Sequence, residues 1–206
     1  MLPIVFENND LIACNKPHGL PSGGLPKNPH AHSASESMRP YVFHEPAYEP
    51  GLLHRLDTAT SGILLFAKHK QSYEAYRSNW HTWVRKIYCA RIHTMHTLPR
   101  EITYPLGHSR KNQKKMCALV HERDQNRMRH AKIQAARTLI MQHENDLEIE
   151  ITTGVRHQIR CHLAAVDAPI LGDTLYGGAP SSRLHLHAWK LILLHEGLTI
   201  TTEIPF

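Results

Sequence analysis

The stretch from Gly51 to Lys68, GLLHRLDTATSGILLFAK, sets a charged and hydroxyl-rich centre between two apolar runs. A run as apolar as Gly62 to Ala67 predicts a buried strand. The chain entering that strand must carry His54, Arg55 and Asp57 toward a core. A carboxylate brought toward an apolar interior is costly unless a partner compensates it. A partner is available in Thr153 to Arg160, TGVRHQIR. If a helix begins near Val155, Arg156 and Arg160 lie four apart on one face. One of them is a natural partner for Asp57, and the pairing keeps the carboxylate ionised, as a nucleophile or base requires. A buried salt bridge that only fixes the fold is the other reading of the same pair. Arg55 and Asp57 are two apart, so in an extended chain both side chains point the same way. That suits an enzyme that extrudes a nucleotide, the arginine filling the gap in the stack while the carboxylate meets the base.

The rest of the chain alternates between strands, short helices and loops. Residues 3–14 predict two short strands around Asn8-Asn9-Asp10, followed by a turn over 15–19. Residues 21–50 hold six prolines and predict a long loop with one short helix near Ser35 to Val42. Residues 71–84 predict a helix, with Tyr73, Tyr76 and Trp80 at core-facing spacing. Lys86 to Ile92 and residues 147–153 alternate as strands, and Gly154 marks a turn. Residues 156–166 predict a helix with Ile159, Leu163 and Val166 on one face. Residues 184–194 and 198–204 predict closing strands. The pattern lacks regular βαβ alternation and indicates a single α+β domain over 1–206.

Lys and Arg outnumber Asp and Glu by 24 to 18, giving a net charge of +6. A basic surface favours polyanions, nucleic acid first among them. The stretch 107–132, GHSRKNQKKMCALVHERDQNRMRHAK, spreads its charge among polar residues and predicts an exposed hairpin or loop. Lys111, Lys114 and Lys115 there suit phosphate contact, which needs distributed positive charge. A solvated face is the other reading. Cys14, Cys89, Cys117 and Cys161 form no CxxC pair and read as buried free thiols in a reducing, cytoplasmic setting. No apolar run reaches transmembrane length, and the N-terminus lacks a secretory pattern. The histidines number 18, and HTMH at 93–96 is among their closest groupings. None has zinc-like spacing, so no metal is expected. Neither GxGxxG, a Walker A loop nor GxSxG is present.

HRLDTATSGILLFAK closely resembles the catalytic motif of the RluA-type RNA pseudouridine synthases, HRLDxxTSGLLLxAK. Further matches follow in the family's order. Asn15 to Leu20 resembles NKPxGL, and Lys86 to Ala90 resembles KxYxA. Thr153 to Leu163 with Pro169 to Gly177 resembles TGRTHQIRxHL…PIxGDxxYG, and Leu186 to Leu191 resembles LHAxxL. The resemblance implies a mostly antiparallel central sheet with flanking helices and a basic cleft. It implies isomerisation of a uridine in tRNA or rRNA to pseudouridine without a cofactor. It makes Asp57 the nucleophile, has Tyr88 stack on the base and assist proton movement, and pairs Arg160 with Asp57. Arg55 would enter the RNA stack, and His54, Arg156, Lys111, Lys114 and Lys115 complete the RNA-contacting candidates. Val155-Arg156 replaces the family's Arg-Thr, which leaves Arg156 to take over the first arginine's role. NKPxGL begins at Asn15, with no room before it for a separate N-terminal RNA-binding domain. Substrate choice then rests on the loops 21–50 and 107–132 of a monomer. A catalytically silent RNA-binding protein on the same fold is the competing reading. Mere binding does not need a carboxylate that repels phosphate.

Overall fold

A computed structural model describes residues 2–93, 96–128 and 133–206. Thr94-Met95 of the histidine grouping and the last residues of the basic stretch, 129–132, lie outside the described residues. The strands are β1 (Ile4–Glu7), β2 (Leu11–Lys16), β3 (Ser61–Ala67), β4 (Val84–Arg91), β5 (Glu101–Ile102), β6 (Leu106–His108), β7 (Met116–Ala118), β8 (Thr138–His143), β9 (Asp146–Ile151), β10 (Leu186–Leu193) and β11 (Leu198–Thr201). The helices are α1 (Ala34–Met38), α2 (Lys70–Trp83) and α3 (Gln158–Ala165). The chain divides into two compact units, residues 1–85 with 187–206, and residues 86–186.

In the first unit β1 and β2 pair antiparallel around the anticipated turn, where the Asn8 side chain accepts the amides of Asp10 at 2.9 Å and Leu11 at 2.7 Å. β2 pairs antiparallel with β3, β3 runs parallel to β10, and β10 pairs antiparallel with β11. Every residue of β3 is buried, as its unbroken apolar run requires. α2 covers this sheet with Tyr76 and Trp80 packed among Leu11, Ile63, Leu65 and Leu191. Each such large side chain contributes roughly 1.5–3 kcal/mol of burial free energy. The proline-rich stretch forms α1, a 3-10 turn at Arg39–Tyr41 and an isolated antiparallel bridge between Leu25 and Asn28. Ser33 caps α1 by accepting the Glu36 amide at 3.2 Å.

In the second unit β4, β9, β8 and β5 form an antiparallel run. β5 and β8 are strands that the sequence pattern does not predict. β8 alternates buried and outward residues over its first four positions, and Ile140 pairs with Ile149 of β9. The basic stretch resolves into the β6–β7 hairpin and a 3-10 turn at Glu122–Arg127. α3 starts later than the pattern suggests. His157 stands immediately before it in the left-handed region, with φ at 54°, which interrupts a right-handed helix. Arg156 therefore precedes the helix, and the expected pairing of Arg156 with Arg160 on one helical face does not occur. The mostly antiparallel pairing agrees with the α+β expectation. All four cysteines are free thiols, but only Cys14 and Cys161 are buried; Cys89 and Cys117 are half-buried. Among the described residues no helix is long and apolar enough to cross a membrane.

Candidate active site

Asp57 sits on an irregular loop between Leu53 and the start of β3, not on an extended strand. Its two-residue spacing from Arg55 therefore does not impose a common face through strand pleating. The Thr60 amide donates to the Asp57 carbonyl at 3.0 Å and closes a turn that delivers the chain into β3. Asp57 is half-buried, while Leu56 beside it is buried and Thr58 exposed.

The loop is held by Asn15 to Ser22. Lys16 is completely buried, and its ammonium donates to the carbonyls of Pro17 at 2.9 Å, Leu20 at 2.7 Å and Thr58 at 3.3 Å. A cation in a dry interior needs such acceptors to replace its hydration. The Gly19 amide donates to the Thr58 carbonyl at 2.9 Å. Gly19 has φ of 85°, which a side chain would strain. Ser22 donates to the Leu56 carbonyl at 2.7 Å and accepts the Leu56 amide at 2.9 Å. Both neighbours of Asp57 are thus tied to a second segment. After the loop, Gly62 lets β3 approach β10: a Cβ there would stand 2.3 Å from the Ala188 carbonyl oxygen. Ser61 and His187 Nδ1 hydrogen-bond at 2.7 Å alongside.

Arg55 is exposed and forms an ion pair with Glu49 at 2.7 Å. His54 is placed differently from the RNA-contacting position expected of it. Its ring is buried against Trp80 with centroids 4.9 Å apart, and its Nε2 accepts the Leu65 amide at 3.2 Å. A histidine that completes the β3 backbone and packs on α2 is part of the core.

In the second unit Tyr88 is buried on β4 opposite Ile149. Two residues earlier on the same strand, Lys86 is buried and donates to the Thr153 carbonyl at 3.1 Å. Burial lowers its pKa to about 8. Thr153 opens the turn into α3 by donating to the Gln158 side chain at 2.7 Å, which also accepts the Val155 amide at 3.2 Å. The same Gln158 donates to the Arg137 carbonyl at 2.8 Å. One turn further on, buried His162 engages Thr138 and the Tyr104 carbonyl, each at 2.8 Å. The TG and HQIRxHL motifs thus anchor α3 onto β8.

Arg160, on α3, is buried, and Asp173 grips its guanidinium with two bonds of 2.7 Å. Such a fork fixes both the position and the plane of the cation. Sequence pattern singles out Arg160 but not Asp173, although Asp173 stands in the GDTLYG string. Tyr176 of the same string packs 5.2 Å from the Arg160 guanidinium carbon and accepts the Met116 amide at 2.8 Å. Lys111 and Lys114 are exposed on the turn of the β6–β7 hairpin. Lys115 reaches over the Tyr176 ring at 4.9 Å. Exposed Arg156 points its guanidinium at the carbonyls of Gln113 and Lys114, at 3.5 Å. The structure thus brings Arg156 together with the lysine-rich turn.

The family model described as RNA pseudouridylate synthase matches residues 10–165. The uncharacterized RNA pseudouridine synthase YhcT of Bacillus subtilis is 29% identical over 211 residues, spanning 100% of this chain and 68% of the relative. The dual-specificity RNA pseudouridine synthase RluA of Vibrio cholerae is 31% identical over 202 residues, spanning 94% of this chain and 78% of the relative. Among solved structures, human RNA Pseudouridylate Synthase Domain Containing 4 is 25% identical, with a TM-score of 0.72 over 98% of this chain and 88% of that one. Human RNA Pseudouridylate Synthase Domain Containing 1 shares the fold at 22% identity, with a TM-score of 0.74 over 100% of this chain and 84% of that one. The chain belongs to the RNA pseudouridylate synthase family, matches RluA-type members over most of its length, and is an isomerase acting on RNA.

Proposed function

We propose that this chain converts one specific uridine of a transfer or ribosomal RNA to pseudouridine, with Asp57 as nucleophile after the base is flipped out. The reaction breaks the bond from ribose C1′ to uracil N1 and forms one from C1′ to C5. The hydrogen leaves C5, and N1 ends protonated. Atoms and electrons balance within the nucleotide, so no group donor or redox partner is consumed. The observation that carries this reading is the loop around Asp57. Lys16, Gly19 and Ser22 bond to the backbone of both its neighbours, and Asp57 itself stays half-buried. A nucleophile held this way needs little reorganisation when substrate arrives.

In this scheme Tyr88 stacks on the extruded uracil and assists proton movement. Arg160 is the charge partner of the catalytic carboxylate, its orientation supported by the two bonds it donates to Asp173. Arg55 fills the gap left in the RNA stack, which its exposure favours. Lys111, Lys114, Lys115 and Arg156 bind phosphates. The free thiols agree with work in the cytoplasm.

A pseudouridine map of total cellular RNA from cells with and without the gene tests the proposal. The expected result is loss of one modification, restored by wild-type protein and not by Asp57→Ala. Restoration by Asp57→Ala would refute the nucleophile, and loss of no site would refute the specific tRNA or rRNA target.

A further inference from the structure

The second unit contains a cavity of about 600 Å³ between β7, the 3-10 turn Glu122–Arg127 and α3. This volume lies in the range of roughly 300–1,000 Å³ typical of ligand sites. Its floor is apolar. α3 contributes Cys161, Ala164 and Ala165, which share a helix face at i, i+3 and i+4, and β7 contributes Met116. The small side chains on α3 leave the space that larger ones would fill. The rim is cationic, with Lys115, Arg123 and Arg127 beside His121. Among the described lining residues the one carboxylate, Asp124, is already engaged: it accepts the His121 amide at 2.9 Å and faces Arg127 at 3.3 Å. Tyr176 steadies the β7 wall through its bond to the Met116 amide, and holds the Lys115 ammonium over its ring. Asp57, Tyr88 and Arg160 are not among the residues lining this space.

An apolar floor under a ring of cations matches a nucleotide, whose base has apolar faces and whose phosphate is anionic. We propose that this cavity is an accessory nucleotide subsite, holding a base of the substrate RNA other than the target uridine, with its phosphate at Lys115, Arg123 and Arg127. The inference rests on the RNA-directed activity of the family. It makes the stretch from Lys115 to Arg127 a contributor to substrate choice through shape as well as charge.

The probe is a short oligouridylate carrying 4-thiouridine, used for affinity and for photo-cross-linking to the full chain. Cross-links are expected on peptides containing Met116 to Ala118 or Cys161 to Ala165. Ala164→Trp fills the floor. It is expected to remove those cross-links and weaken binding about tenfold, the scale of a single stacked base. Arg123 on the rim is exposed, and Arg123→Ser should reduce the slope of affinity against salt by about one. Absence of cross-links at the cavity in wild-type protein overturns the proposal. So does a folded Ala164→Trp protein that binds and cross-links like wild type, or an unchanged salt slope in Arg123→Ser. Wild-type protein that forms no pseudouridine in any RNA refutes the activity itself, a result separate from the binding readouts.

Discussion

Lys86 gives the protein a pH-dependent stability that a single substitution removes. Its side chain is 5% exposed, and burial lowers its pKa from 10.5 to about 8. In the unfolded chain the amine returns to its ordinary value. Below pH 8 the amine is charged in both states, and folding bears the full cost of burying it. Between about pH 8 and pH 10.5 the unfolded chain binds more protons than the folded one, so stability rises with pH across that window. The difference of 2.5 pH units, from 10.5 down to 8, corresponds to about 3 kcal/mol at about 1.36 kcal/mol per unit. Lys86→Met keeps most of the apolar stem and removes the titrating group. It also loses the bond to the Thr153 carbonyl, a cost of about 0.5–1.5 kcal/mol for a neutral donor that applies at every pH. The measurement is urea denaturation of both proteins from neutral to alkaline pH, taken as a difference so that shared titrations cancel. Lys86→Met should be more stable than wild type at neutral pH. That advantage should shrink by about 3 kcal/mol by the alkaline end. Parallel stability curves would show that the folded amine titrates normally and would refute the burial argument.

Other perturbations test separate parts of the structure. Asp173→Ala removes both short bonds to buried Arg160, and breaking a buried pair costs about 3–5 kcal/mol. Thermal melting should fall by roughly 6–20 °C for a chain of this size, and an unchanged melting temperature would show that the pair adds nothing. Gly62→Ala places a Cβ 2.3 Å from the Ala188 carbonyl oxygen. It should destabilise by more than about 4 kcal/mol or prevent accumulation of folded protein, whereas a near-wild-type melt would mean that β3 and β10 separate easily. Replacing Lys111, Lys114 and Lys115 together by Ser should lower the slope of RNA affinity against salt by up to about three, at roughly 0.9 for each phosphate no longer neutralised. An unchanged slope would assign that turn to solvent.

Much of the first unit was legible from local pattern. The unbroken apolar run Gly62 to Ala67 could only be satisfied on a sheet covered on both faces, and β3 is buried throughout. Aromatic spacing placed α2 almost to its ends, because helical period and burial coincide there. The motif strings marked the loop around Asp57 and the helix bearing Arg160. They did not show that Asn15 to Ser22 holds that loop, since Lys16 and Thr58 are separated by 42 residues. β8 escaped local pattern because its alternation is short and lapses after Met141.

Local sequence determined most of the strands and helices, the family motifs and the basic character of the β6–β7 hairpin, because periodicity and charge are properties of neighbouring residues. Tertiary structure alone decided that His54 belongs to the core, that Asp173 grips Arg160, and that Arg156 leaves the helix to join the lysine-rich turn. It also decided that small residues on α3 face the cationic rim of a cavity. These outcomes depend on contacts between distant segments and on one backbone angle at His157, and in each the competition between burial and solvation is settled only when the partner segment is in place.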